Sequence, residues 1–448
     1  MTRRLLVLAL TLSSAASAEA QSLRDKVAEL FIFGSGTNPL SLGGSLGPGN
    51  PATVQAHGNH FIPAAVSQNG SIITFLTVAA GQSVANVPIG SASSGETFRF
   101  EGGVPIKTST SAGPILGERS QTLGRGRTIV GVGRTNVPFS TIRGQDLGNL
   151  ELFFTHQNVT NATSGTNCDS IQGGNCNQMG LPLLENEVIR VRLNLNMDVT
   201  ITSFYATYGL FDALDVSFVV PLVSTRFTGT SEAQIIPFGG TSAVHFFAGT
   251  PTAPELSAFR AVDGSAFGVG DVTVRTKWMV RHTPRAALAL FGDARFATGD
   301  ESDLLGAGYF SARGAAAITG SFGAFSPHVN AGYLYRKTES ASDAVLATFG
   351  FDHLMAPNVT LAVDVLSSLQ VGEAKTDLPG TVKFDYPFKR AIQPTSIPET
   401  RDNIVDGSFG FKFSHPTGVT AIVNTLVPMN AGGLRGRKVF TGGLEFAF

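Results

Sequence analysis

The fold class this sequence predicts is all-β: an antiparallel transmembrane β-barrel of about fourteen strands, following a signal peptide and an N-terminal plug or hatch segment. Three observations predict it: an export leader at the start, apolar residues recurring at every second position from about residue 96 onward, and a final strand that ends on Phe448. The expected division is 1–20 for the leader, 21–95 for a plug or periplasmic segment, and 96–448 for the barrel.

The leader has the three parts that export requires. Arg3 and Arg4 are the basic start, Leu5 to Leu12 the apolar run, and Ser14 to Ala20 a small-residue stretch suited to cleavage after Ala18 or Ala20. A membrane-spanning helix needs about 20 apolar residues, and no run in the chain is that long. Composition agrees with a wall rather than one compact core. Charged residues are 15% against roughly 25% in ordinary soluble domains, and the 52 glycines exceed the usual ~7%. Without residues 1–20 the chain has 30 basic against 32 acidic side chains, so no strong charge invites nucleic acid.

Residues 21–95 lack sustained alternation. They contain a short amphipathic piece from Leu23 to Phe33, Gly/Pro-rich chain through Pro51, and an apolar stretch from Ile72 to Val87. The segment is expected to plug the lumen, with a soluble periplasmic extension as the alternative. A barrel of fourteen strands is too wide for its own side chains to fill, so water or a plug must occupy it.

Strands are expected near 96–106, 127–142, 147–157, 187–208, 213–228, 268–282, 286–298, 308–320, 325–337, 343–353, 358–371, 402–413, 417–428 and 437–448. Six connectors are short and rich in Gly, Pro, Asn or Asp, among them Arg143-Gly144-Gln145-Asp146, Phe211-Asp212-Ala213, Ala356-Pro357-Asn358 and His415-Pro416-Thr417-Gly418. The others are longer, notably 158–186, 229–267 and 372–401. Outer-membrane barrels alternate short periplasmic turns with long outer loops in this way.

The strand near 187–202 carries Ile189, Val191, Leu193, Leu195, Met197, Val199 and Ile201 on one face. Arg190, Arg192, Asn194, Asn196 and Asp198 share the other. The apolar face is expected to meet lipid and the polar row to line the lumen, where charges set selectivity. Trp278, Tyr205 and Tyr208 are candidates for the aromatic girdles. The last strand puts Phe440, Leu444, Phe446 and Phe448 on one face, and Leu444, Phe446 and Phe448 resemble the C-terminal assembly signal of outer-membrane barrels. That resemblance implies the barrel-assembly machinery and outer-membrane lipid as partners.

Cys168 and Cys176 enclose a Gly-Gly turn and, in an exported chain, are expected to form a disulfide. Enzymatic signals are missing: there is no Gly-x-Ser-x-Gly elbow and no His-Glu-x-x-His, and the eight histidines are scattered. His57 and His60 lack a nearby carboxylate or Cys to complete a metal site. No catalytic activity, metal or cofactor is expected.

A hatch, about fourteen strands and a terminal Phe resemble the FadL-like family of long-chain fatty-acid and aromatic-hydrocarbon transporters. Leu210-Phe211-Asp212-Ala213-Leu214-Asp215, Val220-Pro221, Ala297-Thr298-Gly299-Asp300 and Leu304-Leu305-Gly306-Ala307-Gly308 resemble the transporters associated with phenol meta-cleavage pathways. The Asn-Pro-Ala-Gly run of the fatty-acid members is matched only in part, by Asn50-Pro51-Ala52-Thr53. The resemblance implies passive uptake of a hydrophobic or aromatic small molecule captured by outer loops. Ile235, Ile236, Phe238, Phe246, Phe247 and Phe259 in the 229–267 loop are the capture candidates. A water-filled porin for polar solutes and a surface-binding barrel without transport are the alternatives.

Overall fold

The computed structural model describes residues 21–33, 40–41, 75–83, 98–101, 104–107, 111–155, 188–237, 247–250, 252–375, 378, 380–384 and 390–448. Its main sheet is a closed antiparallel barrel of twelve strands. In chain order these are β1 (Thr128–Ile142), β2 (Val188–Phe211), β3 (Leu214–Ile236), β4 (Thr273–His282), β5 (Ala286–Arg295) and β6 (Ser311–Gly320). There follow β7 (Phe325–Arg336), β8 (Ala344–Ala356), β9 (Val359–Gln370), β10 (Ile404–Ser414), β11 (Val419–Pro428) and β12 (Val439–Ala447). Consecutive strands pair throughout, and β12 returns to β1 with Phe440 opposite Asn136 and Ala447 opposite Ile129. Closure leaves the cylinder without a free edge, which is the condition for strands to stand in hydrocarbon.

Twelve strands, not fourteen, form the wall. The segment near 96–106 is a separate hairpin of Phe98–Glu101 and Val104–Lys107. The segment near 147–157 supplies Leu150–Thr155, which lies outside the cylinder against the first residues of β2. Removing that segment from the wall reverses β1: its first residue pairs with Tyr208 and bonds Phe448 at the short-turn end. The Arg143–Gly144 turn therefore sits at the long-loop end. Both its residues have positive φ, 45° and 82°, as a two-residue hairpin requires. Arg143 is held in that conformation by an ion pair to Asp402 at 2.8 Å and by packing over the Phe75 ring.

From β4 to β12 the strands are 9–13 residues long, which at ~3.3 Å per residue and a tilt near 45° spans roughly 20–30 Å. Their outward side chains are apolar and exposed, including Trp278, Leu290, Ile318, Phe349, Phe409, Val423, Phe440, Leu444, Phe446 and Phe448. Such an apolar belt around a closed barrel fits a bilayer. Tyr208 lies on this outer face, whereas Tyr205 is buried inside and is not a girdle residue.

β2 and β3 are about twice as long, at 24 and 23 residues, and their register is unbroken from Val188↔Ile236 to Gly209↔Asp215. Along β2 every odd residue points inward. From Ile189 to Ile201 those inward residues are apolar and buried; from Ser203 to Thr207 they are Ser, Tyr and Thr. The outward residues change in the opposite sense, from Arg192, Asn194 and Asn196 to Phe204, Tyr208 and Leu210. Polarity thus inverts near residue 202 without a bulge. Below that level the exterior is apolar, as a bilayer requires; above it the strand has an apolar interior and a polar exterior. The apolar row Ile189–Ile201 is therefore not a lipid-facing surface, which corrects the expectation for this strand.

What covers that row comes from the N-terminal region. Helix α1 (Leu23–Glu29) is capped by the Ser22 hydroxyl, which accepts from Asp25 N at 3.2 Å. Its Leu23 and Val27, followed by Leu30, Phe31 and Phe33, join one core with Ile189, Val191, Leu193, Phe227 and Ile235. A second helix at 75–83 adds Phe75, Leu76 and Ala80 to the same core. A further strand, Ser257–Val269, continues this outer extension beside β3 and passes through Gly270–Val272 into β4. No helix among the described residues is long and apolar enough to cross a membrane, a statement about helices alone.

Candidate functional site

The inside of the barrel is crossed by residues 111–127, an irregular segment immediately before β1. Its backbone and side chains bond successive strands across the lumen. Ser111 meets Asp352 on β8, and Ala112 N donates to the Thr360 hydroxyl on β9 at 2.9 Å. Glu118 N donates to Asn330 on β7 at 2.7 Å, while the Asn330 amide returns a bond to Glu118 O at 2.8 Å. Ser120 bonds Thr319 and Ala317 on β6, and Leu123 N donates to the Asp215 carboxylate on β3 at 3.0 Å. Thr122 then reaches Asp212 O in the β2–β3 turn. A segment without its own regular hydrogen bonds is satisfied in this way by the strands around it.

Charged groups fix it further. Arg119 pairs with Asp352 at 2.9 Å, and Glu118 pairs with Arg275 and approaches Lys277 at 3.9 Å. Burial alone would push the Glu118 carboxyl up; the facing Arg275 and Lys277 cations outweigh burial and hold it below the usual carboxylate range. The Asp215 carboxylate also faces Lys277, at 3.9 Å.

Cross-strand register builds a grid of inward side chains on β4, β5 and β6. Arg275, Asp293 and Arg313 stand side by side in one row, with Thr273, Arg295 and Ser311 in the row toward the long loops. Arg275 Nε bonds Asp293 Oδ1 at 2.6 Å, Arg313 pairs with the other Asp293 oxygen, and both guanidiniums stack on Phe291, at 5.9 and 5.1 Å from its centroid.

Between residues 116–118 below and Ser83 of the 75–83 helix above lies a chamber of about 240 Å³. The Arg/Asp grid forms one side. Val137, Phe139, Leu366, Leu426 and Val439 form much of the other, on strands half a turn around the cylinder.

The residues singled out from sequence fall elsewhere. Arg192, Asn194 and Asn196 are exposed on the outer face above the lipid level, with Arg190 and Asp198 half-buried on that same face. None lines the lumen, because the interior at that height is the apolar core over α1. Arg190 and Arg192 approach Glu151 at 3.8 and 3.6 Å. The 229–267 stretch is not a single loop, since Ile235 and Ile236 end β3 and Phe259 lies on the Ser257–Val269 strand; of the capture candidates, Ile235 and Phe247 are buried, Phe247 against Phe33 with ring centroids 5.5 Å apart, while Ile236 and Phe259 are exposed. Phe238, Phe246, Cys168 and Cys176 lie outside the described residues. Leu444, Phe446 and Phe448 are on the outward face of β12.

Sequence reasoning missed the luminal segment and the grid. Arg275, Lys277, Asp293 and Arg313 did leave a signal, since charges inside short membrane strands must point inward. The luminal segment left none: Ser111–Arg127 reads as an ordinary Gly/Ser-rich connector.

A closed cylinder with an apolar belt, a charged interior and an internal strap defines a membrane β-barrel. Residues 182–378 match the model of the family described as "Putative MetA-pathway of phenol degradation". The runs Leu210–Asp215 and Ala297–Gly308 fall inside that span. Asp215 holds the luminal segment, and the second run folds over Asp271, which accepts from Gly299 N at 3.1 Å and Ala307 N at 2.9 Å. Among solved structures, the chain is similar to an outer membrane channel from Pseudomonas putida F1, at 11% identity and a TM-score of 0.41, covering 73% of this chain and 98% of that one. It is similar also to the CymD monoaromatic hydrocarbon channel, at 11% identity and a TM-score of 0.34 over 72% and 89%. The Ralstonia pickettii toluene transporter TbuX gives 11% identity and a TM-score of 0.25 over 72% and 88%. No curated protein sequence matches the chain.

Proposed function

We propose that this protein is an outer-membrane channel for passive uptake of small hydrophobic or aromatic molecules, with residues 111–127 as its plug. The chamber carries this reading: it is half apolar, large enough for a single ring, and placed in line between the outer extension and the plug. The matched family description, which names phenol, supports the same substrate class. The outer extension, in which α1 packs against the Ser257–Val269 strand and the 75–83 helix reaches Arg143, Ser340 and Leu434, forms the mouth.

The Arg275–Asp293–Arg313 row is what favours the second reading, a porin for polar solutes, because charge inside a lumen orders water. Two measurements separate the readings. In planar bilayers the full-length protein is expected to show little steady conductance. Cells of a toluene-degrading host lacking the gene are expected to take up labelled toluene more slowly than complemented cells. Large steady conductance with unchanged toluene entry overturns the hydrophobic-uptake reading.

A further inference from the structure

The lining of the chamber's polar side carries four cations against three anions: Arg275, Arg295, Arg313 and Arg435 against Glu118, Asp293 and Asp406. Arg435 pairs with Asp406, and Arg275 with both Glu118 and Asp293. Arg313 uses its terminal amine on Asp293, which leaves its buried Nε–H without a partner. Arg295 has no hydrogen bond or ion pair among the described residues. The nearest anion toward the long loops, Asp271, acts on Arg295 through its charge, but its oxygens accept from Gly299 N and Ala307 N and it forms no hydrogen bond or ion pair with the guanidinium.

Arg295 and Arg313 are diagonal neighbours on adjacent strands, since Arg295 stands opposite Ser311 and Asp293 opposite Arg313. Diagonal positions on one face lie about 7–8 Å apart, within the joint reach of two long side chains. A buried donor without a partner is costly, and a guanidinium offers a planar fork that matches a carboxylate. Size limits the rest of the ligand. A cavity of ~150 Å³ accepts benzene, so about 240 Å³ takes a substituted single ring and not a long alkyl chain.

We propose that the chamber binds a small aromatic carboxylate, with its anionic group on Arg295 and the free Nε–H of Arg313 and its ring against Leu366, Leu426 and Val439. The proposal rests on the uptake reading and narrows it: the preferred cargo is an aromatic acid rather than a neutral hydrocarbon. The plug's Leu116 and Glu118 form the floor, so bound acid would sit directly above the barrier it must pass.

The test is titration calorimetry on the full-length protein in detergent, with benzoate and its neutral analogue benzyl alcohol as probes. Wild type is expected to bind benzoate at least about tenfold more tightly than benzyl alcohol. Arg295→Gln is expected to abolish that preference while leaving the alcohol unchanged, and Arg295→Lys to retain part of it. Equal affinity for the two probes in wild type, or no benzoate binding, overturns the proposal without requiring any variant to fold. A benzoate preference that survives in folded Arg295→Gln also overturns it. Toluene entry into cells is read in parallel. Normal entry with no benzoate binding leaves hydrocarbon uptake standing and this proposal refuted, whereas loss of both refutes the uptake reading itself.

Discussion

At the scale of single residues, the seam where the barrel closes depends on a glycine beneath an aromatic ring. Gly131 of β1 lies between Tyr205 on β2 and Glu445 on β12, its direct cross-strand neighbours. Tyr205 lies over it and donates its hydroxyl to Glu445 Oε1 at 2.6 Å, so one side chain ties three strands together. A Cβ at position 131 would collide with the Tyr205 ring. Gly350 plays the same part under His328, whose Nε2 lies 2.6 Å from Asp364 Oδ1 across two registers. Gly131→Val is therefore expected to displace Tyr205 and destabilise the seam more than Tyr205→Phe, whose lost bond to a carboxylate is worth about 1.5–3 kcal/mol. Urea titration of the folded barrel checks the order of the two; a Gly131→Val variant as stable as wild type would contradict it.

At the scale of elements, the informative feature is the inversion along β2 and β3. Leu193→Ala, which empties a site in the core over α1, is expected to cost about 2–5 kcal/mol and to expose the outer extension to protease in intact cells. Asn194→Leu, one residue away on the wetted face, is expected to change stability by less than about 0.5 kcal/mol. Phe218→Arg, on the exposed lower face of β3, is expected to cost about 2–4 kcal/mol in lipid. Protease susceptibility of intact cells for the first pair, and urea unfolding in vesicles for the third, test the assignment of water and lipid along one strand. These expectations also mark what the sequence could convey. Period two reveals that a strand has an apolar face, but not whether lipid or a protein core meets it. The shift of apolar residues from odd positions up to Ile201 to even positions from Phe204 is readable, and it marks the boundary. All twelve wall strands were legible in position, those from β4 to β12 because short strands between turns carry their own punctuation, but β3 runs on to Ile236 where a loop was expected from 229. Leu150–Thr155 was miscounted because pairing outside the wall and pairing within it leave the same alternation.

At the scale of the whole molecule, the barrel and the luminal segment 111–127 are coupled by charge, and pH is expected to act on that coupling. Glu118 has a lowered native pKa, set by Arg275 and Lys277 against the opposing effect of burial. Its ionised form therefore stabilises the seating of residues 111–127 fully above the ordinary carboxylate range, near 4.3, and that contribution is lost as pH falls through the lowered value. Once Glu118 is protonated, Arg275 and Lys277 lose an anion that compensates them, and the hold on residues 111–127 weakens from the middle. Conductance of the full-length channel is thus expected to rise on acidification from pH 7 toward pH 3, and Glu118→Gln is expected to show raised conductance already at pH 7 with a flatter pH response. Asp215→Asn, which weakens the attachment at Leu123 N and removes the second carboxylate facing Lys277, is expected to raise conductance at pH 7. If acid leaves wild-type conductance unchanged, or Glu118→Gln retains the full pH dependence, the plug is not held by this pair of cations. Its anchoring would then rest on the backbone bonds to Asn330, Thr319 and Thr360.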